Sequence, residues 1–114
     1  MSGPVIVVAI LTPRPGRTQD VLASFAKLSP LVHREKGCEL YAAHTDGQVV
    51  IMIERWTTRE DLDAHAGGEP LELLNELNTG LLERPYDVWF LENVAIGDPS
   101  KATIPFPLPE MNAS

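Results

Sequence analysis

Residues 48–65, QVVIMIERWTTREDLDAH, join a strand pattern to a helix pattern and decide how the rest of the chain folds. The first part is a run of apolar and β-branched residues, typical of a buried strand, and strand side chains alternate between two faces. Glu54 and Trp56 therefore end one face of this strand together. The next four residues, TTRE, match the capping box that begins a helix, and this helix is predicted to carry His65 back over the strand end.

The dipeptide Asp46-Gly47, immediately before this stretch, is typical of a two-residue type I′ hairpin. It predicts that a strand over residues 38–45 pairs antiparallel with the strand that follows, with Tyr41 opposite Met52. This register places Tyr41 on the same face as Glu54.

The remaining patterns complete one domain. In chain order they are a strand over residues 5–12, a helix from 17 to 35, a helix from 70 to 81 with leucines at spacings of three and four, and a strand over 86–94. The resulting order βαββαβ predicts an α+β, ferredoxin-like fold with a four-stranded antiparallel sheet and its helices on one face. We assign residues 1–96 to this domain and residues 97–114 to a proline-rich, extended C-terminal tail.

Apolar side chains occupy both faces of the central strands. Ile51 and Ile53 oppose Val50 and Met52, and the first strand has no polar side. A single domain would leave one of these faces in water, as a patch larger than monomers usually expose. The pattern therefore predicts a homodimer packed through its sheet faces, with a higher oligomer left open. The tail is expected to lie along a neighbouring subunit, with residues 100–110 in contact with the partner subunit or a second dimer.

Composition limits the partners and the location. The net charge of −7 disfavours nucleic acid and anionic membranes, because both require a basic surface. Cys38 is the single cysteine, so no internal disulfide can form and a reducing compartment is expected. The N-terminal residues lack the basic region of a secretion signal, and their apolar run is shorter than the roughly 20 residues that span a bilayer. The expectation is a cytoplasmic protein.

Three short runs resemble a known family. EKGCELY at residues 35–41, ERW at 54–56 and LDAH at 62–65 are similar to the antibiotic biosynthesis monooxygenase domain family of dimeric α+β barrels. The resemblance covers residues 5–95. It implies a mostly apolar pocket between sheet and helices in each subunit of a dimer. It also implies a cofactor-independent monooxygenase that oxidises an electron-rich aromatic, such as a quinol, anthrone or polyphenol, with O2.

The resemblance implies no cofactor, because the substrate itself would be the reductant. The chain has no glycine-rich nucleotide loop, and its three histidines do not show metal-ligand spacing. A haem-degrading branch of the family uses an asparagine on the first strand and a histidine on the last helix. The corresponding positions here are Ala9 and Asn75, so haem degradation is not expected.

Two residues are candidates for catalysis. A histidine can accept a proton near neutral pH, which suits proton abstraction from a phenol, and His65 matches a pocket position of the family. The alternative is a helix histidine that packs locally. Glu54 lies on an otherwise apolar face and must be paired or hydrogen-bonded. It either holds a helix terminus or the His65 ring, which is the favoured interpretation, or acts as the base.

Four residues are candidates for contact with the substrate. Trp56 could stack on an aromatic substrate, or close the end of the strand as an ordinary core residue. Tyr41 could donate to a substrate oxygen, or pack in the core with its hydroxyl at the rim. Asn75 is either a pocket amide or a solvated residue, depending on the rotation of its helix. Met52 shares the face of Glu54.

Two other functions are compatible with the same pattern. One is a non-catalytic, dimeric small-ligand-binding or stress-response protein that keeps the fold, which a pocket too small for a bicyclic aromatic would favour. The other is an isomerase or lyase, which would form product without consuming oxygen.

Overall fold

The computed structural model describes residues 3–104 of the 114-residue chain. In chain order its elements are β1 (Val5–Leu11), α1 (Thr18–His33), β2 (Cys38–Thr45), β3 (Val50–Trp56), α2 (Arg59–Ala66), α3 (Glu69–Leu77), β4 (Asp87–Leu91) and α4 (Pro99–Ala102). None of the helices in this part of the chain has the length and apolar character needed to cross a membrane.

The four strands form one antiparallel sheet in the order β2-β3-β1-β4. The helices α1 and α3 pack against each other and cover one face of the sheet. This confirms the predicted α+β, ferredoxin-like fold. Period-two alternation in the central strands produces it, because every second side chain of β1 and β3 points towards the helices.

The core lies between this face and the helices. The helix α1 begins at Thr18 and contributes an apolar stripe at helical spacing, which consists of Val21, Phe25, Leu28 and Val32. On the sheet side, Val50, Met52 and Trp56 are almost completely buried. The face of β3 that carries these three side chains is therefore buried by helices of the same chain.

The predicted register between β2 and β3 is wrong by two residues. Tyr41 lies opposite Glu54 rather than Met52. Because side chains in a strand alternate with a period of two, a shift of two residues leaves each one on its predicted face. Tyr41 and Glu54 therefore still share the face that is covered by the helices.

The hairpin loop explains the shift. The Asp46 carboxylate accepts the backbone N–H groups of Gln48 and Val49 at 2.9 and 3.0 Å, which replaces the ladder bonds nearest the turn. Gly47 has a φ of +97°, whereas no residue other than glycine has a positive φ among those described. A type I′ turn needs two successive positive φ values, so the strands are joined by a longer loop.

The helix α3 and the strand β4 are shorter than the sequence patterns predicted. The helix α3 ends at Leu77 rather than at residue 81, and Gly80 turns the chain with a φ of +78°. Leu81 is nevertheless buried, so the leucine pattern predicted burial correctly but not the end of the helix. All five residues of β4 are exposed, because it is an edge strand that the helices do not cover.

The beginning of the tail folds against its own sheet. Arg55, on the face turned away from the helices, donates to the backbone oxygen of Ile104 at 2.7 Å. The Asn93 side chain bonds both the N–H and the carbonyl of Ile104 at 3.0 and 3.2 Å. Within the predicted extended tail, α4 forms one helical turn. The expected contact with a neighbour concerns residues 100–110, of which 105–110 lie outside the described part.

The turn from α1 to β2 generates a prediction about stability. Gly37 has a φ of +82°, and a Cβ placed there would collide with the Asp61 side chain. Gly16 has a similar φ of +79° with open space around it. Gly16→Ala should therefore lower the free energy of unfolding by about 1 kcal/mol, through backbone strain alone. Gly37→Ala should lower it by about 2 kcal/mol or more, because the collision adds to the same strain.

Chemical denaturation of the wild type and both variants measures this difference. Equal losses in the two variants would contradict the close approach of Asp61 to the turn.

Candidate functional site

A small cavity lies between the sheet and the helices. Its volume is about 40 Å³, and its walls are mostly apolar. The sheet contributes β1, β2 and β3, Phe25 projects from α1, and α3 with the residues after it closes the top. On β1 the small side chain of Ala9, which pairs with Met52 on β3, leaves space beneath α3.

Three of the predicted substrate-contact residues line this cavity, namely Tyr41, Met52 and Asn75. Tyr41 and Met52 reach it from neighbouring strands, as face alternation predicts. Asn75 reaches it from α3 but is largely exposed, and it also borders a larger, open groove of about 630 Å³ along the outside of that helix. Such an open groove excludes little water, so the cavity is the better candidate for a binding site.

The other three candidates form a second buried cluster next to the cavity. Trp56 has no exposed surface, and its indole N–H donates to Glu54 Oε1 at 2.9 Å. The His65 ring stacks on the indole with 4.5 Å between ring centroids. Trp56, Glu54 and His65 are not among the residues that line the cavity. Trp56 therefore closes the strand end as a core residue.

His65 is held by a carboxylate that was not predicted as a site residue. Its Nδ1 lies 2.6 Å from Glu35 Oε1, and the His65 side chain is 5% exposed. Glu54, which was expected to hold a helix terminus or the His65 ring, instead accepts from Trp56. Gly68 permits the close approach of Glu35, since a Cβ there would lie 3.1 Å from Glu35 Oε2.

Tyr41 connects the cavity to the buried cluster. It lines the cavity, and its ring meets the edge of the His65 ring with centroids 5.7 Å apart. Burial, together with the negative charges of Glu54 and Glu35, holds the pKa of Tyr41 far above its ordinary value of 10. Tyr41 therefore stays protonated at physiological pH and can donate its hydroxyl proton in a hydrogen bond.

The carboxylates of Glu54 and Glu35 make the surroundings of Tyr41 and His65 unfavourable for further negative charge. Burial raises the pKa of Glu54 above its ordinary value of 4.5, although the indole N–H and His65 act in the opposite direction. Burial is also the main reason that the pKa of Cys38 is raised to about 11, which leaves it a thiol near neutral pH. Among residues 3–104, no three His, Cys, Asp or Glu side chains are grouped so that they could hold a metal ion.

One more polar residue of the cavity was not predicted. Asn78 follows the last residue of α3, lines the cavity and is 6% exposed. Its side-chain oxygen has no hydrogen-bond partner in the described part of the chain. The sequence signal is an asparagine four residues after Leu74, at the spacing that places both on one side of a helix.

The raised pKa of Glu54 predicts a pH dependence of stability. A carboxyl group with a higher pKa in the folded state stabilises the fold less once pH rises above its unfolded value of 4.5. Glu54→Gln keeps an oxygen for the indole N–H but never ionises. The melting temperature of Glu54→Gln minus that of wild type should therefore become more positive as pH rises from about 4 to 7.

Glu83→Gln, which changes an exposed carboxylate, is the matched control and should show no such trend. An offset between Glu54→Gln and wild type that is constant with pH would contradict the effect of burial.

Comparisons with known proteins identify the family of the chain. The model of the antibiotic biosynthesis monooxygenase family matches residues 4–73. "Probable quinol monooxygenase YgiN" from Escherichia coli is 36% identical over 52% of this chain and 69% of its own length. Rv0793 from Mycobacterium tuberculosis is 33% identical over 80% of this chain and 92% of its own.

Two solved structures share the fold. The structure of Rv0793 superposes with a TM-score of 0.75 and 28% identity, covering 84% of this chain and 100% of that one. PA3566 from Pseudomonas aeruginosa superposes with a TM-score of 0.75 and 26% identity, covering 83% of this chain and 98% of that one. Because the family model spans more than half of the chain, and Rv0793 is similar over nearly its whole length, this chain belongs to the antibiotic biosynthesis monooxygenase family.

Proposed function

We propose that the protein is a monooxygenase that needs neither flavin nor metal and oxidises an electron-rich aromatic, such as a quinol, anthrone or polyphenol, with O2. Membership of the family and the likeness to a protein named as a probable quinol monooxygenase support this proposal. The observation that carries it is the position of Tyr41. This side chain presents a phenol group to an apolar cavity and touches the buried histidine.

The proposed reaction inserts one oxygen atom into the aromatic ring. The substrate loses a phenolic proton, and its anion transfers an electron to O2. Recombination forms a carbon–oxygen bond, and cleavage of the O–O bond then releases the second oxygen atom as water. A hydroquinone plus O2 gives a hydroxyquinone plus H2O, and an anthrone gives an anthraquinone plus H2O. The substrate supplies all the electrons, so no separate reductant enters.

In this proposal the residues have different roles. Tyr41 donates a hydrogen bond to the substrate oxygen on which negative charge develops. His65, which is oriented by Glu35 and contacts the Tyr41 ring, is the base that receives the substrate proton. Glu54 contributes by fixing Trp56, which forms the wall behind His65.

Met52 and Asn75 complete the substrate contacts in the proposal. Met52 is an adaptable, polarisable side chain in the cavity wall, which suits contact with an aromatic ring. Asn75 lies where the cavity approaches the surface and supplies an amide at its edge.

The size of the cavity favours a second candidate function. An apolar cavity of about 150 Å³ takes up benzene, whereas this one is about 40 Å³. Aromatic binding therefore requires side chains to move. Of the two wall residues outside the helices and strands, Asn78 is buried and Tyr86 is 39% exposed, so we propose that Tyr86 moves. A non-catalytic protein that binds a small ligand would need less movement. Ligand-dependent stabilisation without oxygen uptake would identify that function.

We further propose that two copies pack through the sheet faces that point away from the helices. On this face Ile53 lies between Val8 and Ala42, and each of these three side chains retains some exposed surface. On the edge strand Trp89 is 47% exposed. Burial of this surface would contribute on the order of 25 cal/mol per Å² of apolar area.

The free thiol of Cys38 suits a reducing compartment, and we place the protein in the cytoplasm.

Oxygen consumption tests the catalytic proposal. Metal-depleted protein is mixed with a panel of hydroquinones, anthrones and polyphenols, and products are analysed by mass spectrometry after reaction under ¹⁸O2. The product should contain one labelled oxygen atom. His65→Gln should lower kcat by about 100-fold or more, the effect expected for loss of a general base. Tyr41→Phe should lower it by about tenfold through loss of one hydrogen bond.

Glu83→Gln is the control and should retain the wild-type rate, since this carboxylate is exposed and is not among the cavity-lining residues. Absence of oxygen uptake with every substrate class would refute the proposed activity. A fully active His65→Gln would remove that residue from the mechanism.

The proposed dimer predicts a mass of two 12.5 kDa chains by light scattering coupled to size exclusion. Ile53→Asp places a charge in the centre of the outer sheet face and should shift the mass towards one chain. Leu31→Asp makes the same kind of change at an exposed leucine on α1 and should leave the mass unchanged. A wild-type mass of one chain would contradict the interface.

A further inference from the structure

The buried side chain of Asn78 has an unused hydrogen-bond acceptor at the cavity. Asn78 is 6% exposed and contributes to the cavity wall. Its Oδ1 is completely buried and accepts no hydrogen bond from residues 3–104. Buried polar atoms are almost always paired, because an unpaired one destabilises the fold. An exception beside a cavity indicates a role in binding.

The backbone does not explain why an asparagine is present. Asparagine often ends a helix because it tolerates the left-handed conformation, but Asn78 has a φ of −85°, and Gly80 supplies the positive φ of this turn. Its N–H donates to the Leu74 carbonyl at 3.0 Å, and its own carbonyl accepts from Leu81 at 3.0 Å. The helix end is thus satisfied without the Asn78 side chain.

The neighbouring walls define what kind of group the oxygen could meet. Phe25, Met52 and Leu74 are apolar and suit the body of an aromatic ring. A carbonyl oxygen only accepts hydrogen bonds, so a ligand atom placed against it must carry a proton. A hydroxyl group on an aromatic ring satisfies both requirements.

We propose that Asn78 Oδ1 is the acceptor for a phenolic hydroxyl of the ligand in this cavity, and that it determines specificity for hydroxylated aromatic rings. The inference rests on the proposed function for its substrate class. In a quinol, the hydroxyl at Asn78 keeps its proton because the amide oxygen needs a donor. The other hydroxyl, turned towards Tyr41, is then the one that ionises. Asn78 thereby orients the ring in the cavity.

The test compares two probes of nearly equal size, phenol and toluene, in which a hydroxyl replaces a methyl group. Dissociation constants are measured by calorimetry without oxygen, so that binding is separated from turnover. The ratio of the toluene constant to the phenol constant should be about tenfold higher in wild type than in Asn78→Leu, because one hydrogen bond is lost. The ratio cancels differences in the hydrophobicity of the probes.

Glu76→Leu is the matched control, since it removes an exposed polar side chain of α3 that is not among the cavity-lining residues. Its ratio should equal that of wild type. Asn78→Leu should melt at or above the wild-type temperature, because it removes an unpaired buried oxygen. If leucine does not fit, Asn78→Ala removes the same oxygen without adding volume.

An unchanged ratio in the Asn78 variant, an equal fall in Glu76→Leu, or failure of wild type to bind phenol would each overturn the proposal. Phenol selectivity without oxygen uptake would support the role of Asn78 while refuting the monooxygenase activity. Oxygen uptake without phenol selectivity would support the monooxygenase activity while refuting the role of Asn78.

Discussion

A buried indole N–H at the end of a central strand must have an acceptor, and in this protein that acceptor is Glu54, two residues earlier on the same face of β3. The carboxylate in turn needs a donor, because it is itself buried. Removing either partner would leave the other buried and unpaired, which typically costs about 1–3 kcal/mol. This pair fixes the corner against which the rest of the site is placed.

Three elements meet at this corner. The indole supports the His65 ring from α2, and Glu35, which follows α1, holds the same ring from another direction. Tyr41 on β2 contacts the His65 ring and also lines the cavity, so it connects this corner to the cavity. Tyr86, which also lines the cavity, lies in a loop and is 39% exposed. A corner held by these contacts, next to an exposed wall residue in a loop, suits a site that must position an oxygen atom and still admit a ring.

The sequence predicted which residues share a face better than it predicted which residues touch. Alternation placed Tyr41 with Glu54 and Met52 correctly even though the register was shifted, because face depends only on parity. The pairing of His65 with Glu35 could not be predicted, since it joins residues 30 apart through the way two helices end. The spacing of Asn78 from Leu74 could have indicated its burial, but its position just after the end of α3 could not be predicted, because the leucine spacing extended that helix too far. Local periodicity carries no information about such endings, which tertiary contacts decide.

The central claim is that the cavity beneath α3 is the binding site for a hydroxylated aromatic ring. A crystal structure of the protein with hydroquinone, prepared without oxygen, tests it most directly. We expect the ring between Met52 and Leu74, with one oxygen bonded to Asn78 Oδ1, the other near Tyr41, and Tyr86 displaced. A ring bound instead in the open groove outside α3, with the cavity still closed, would contradict it.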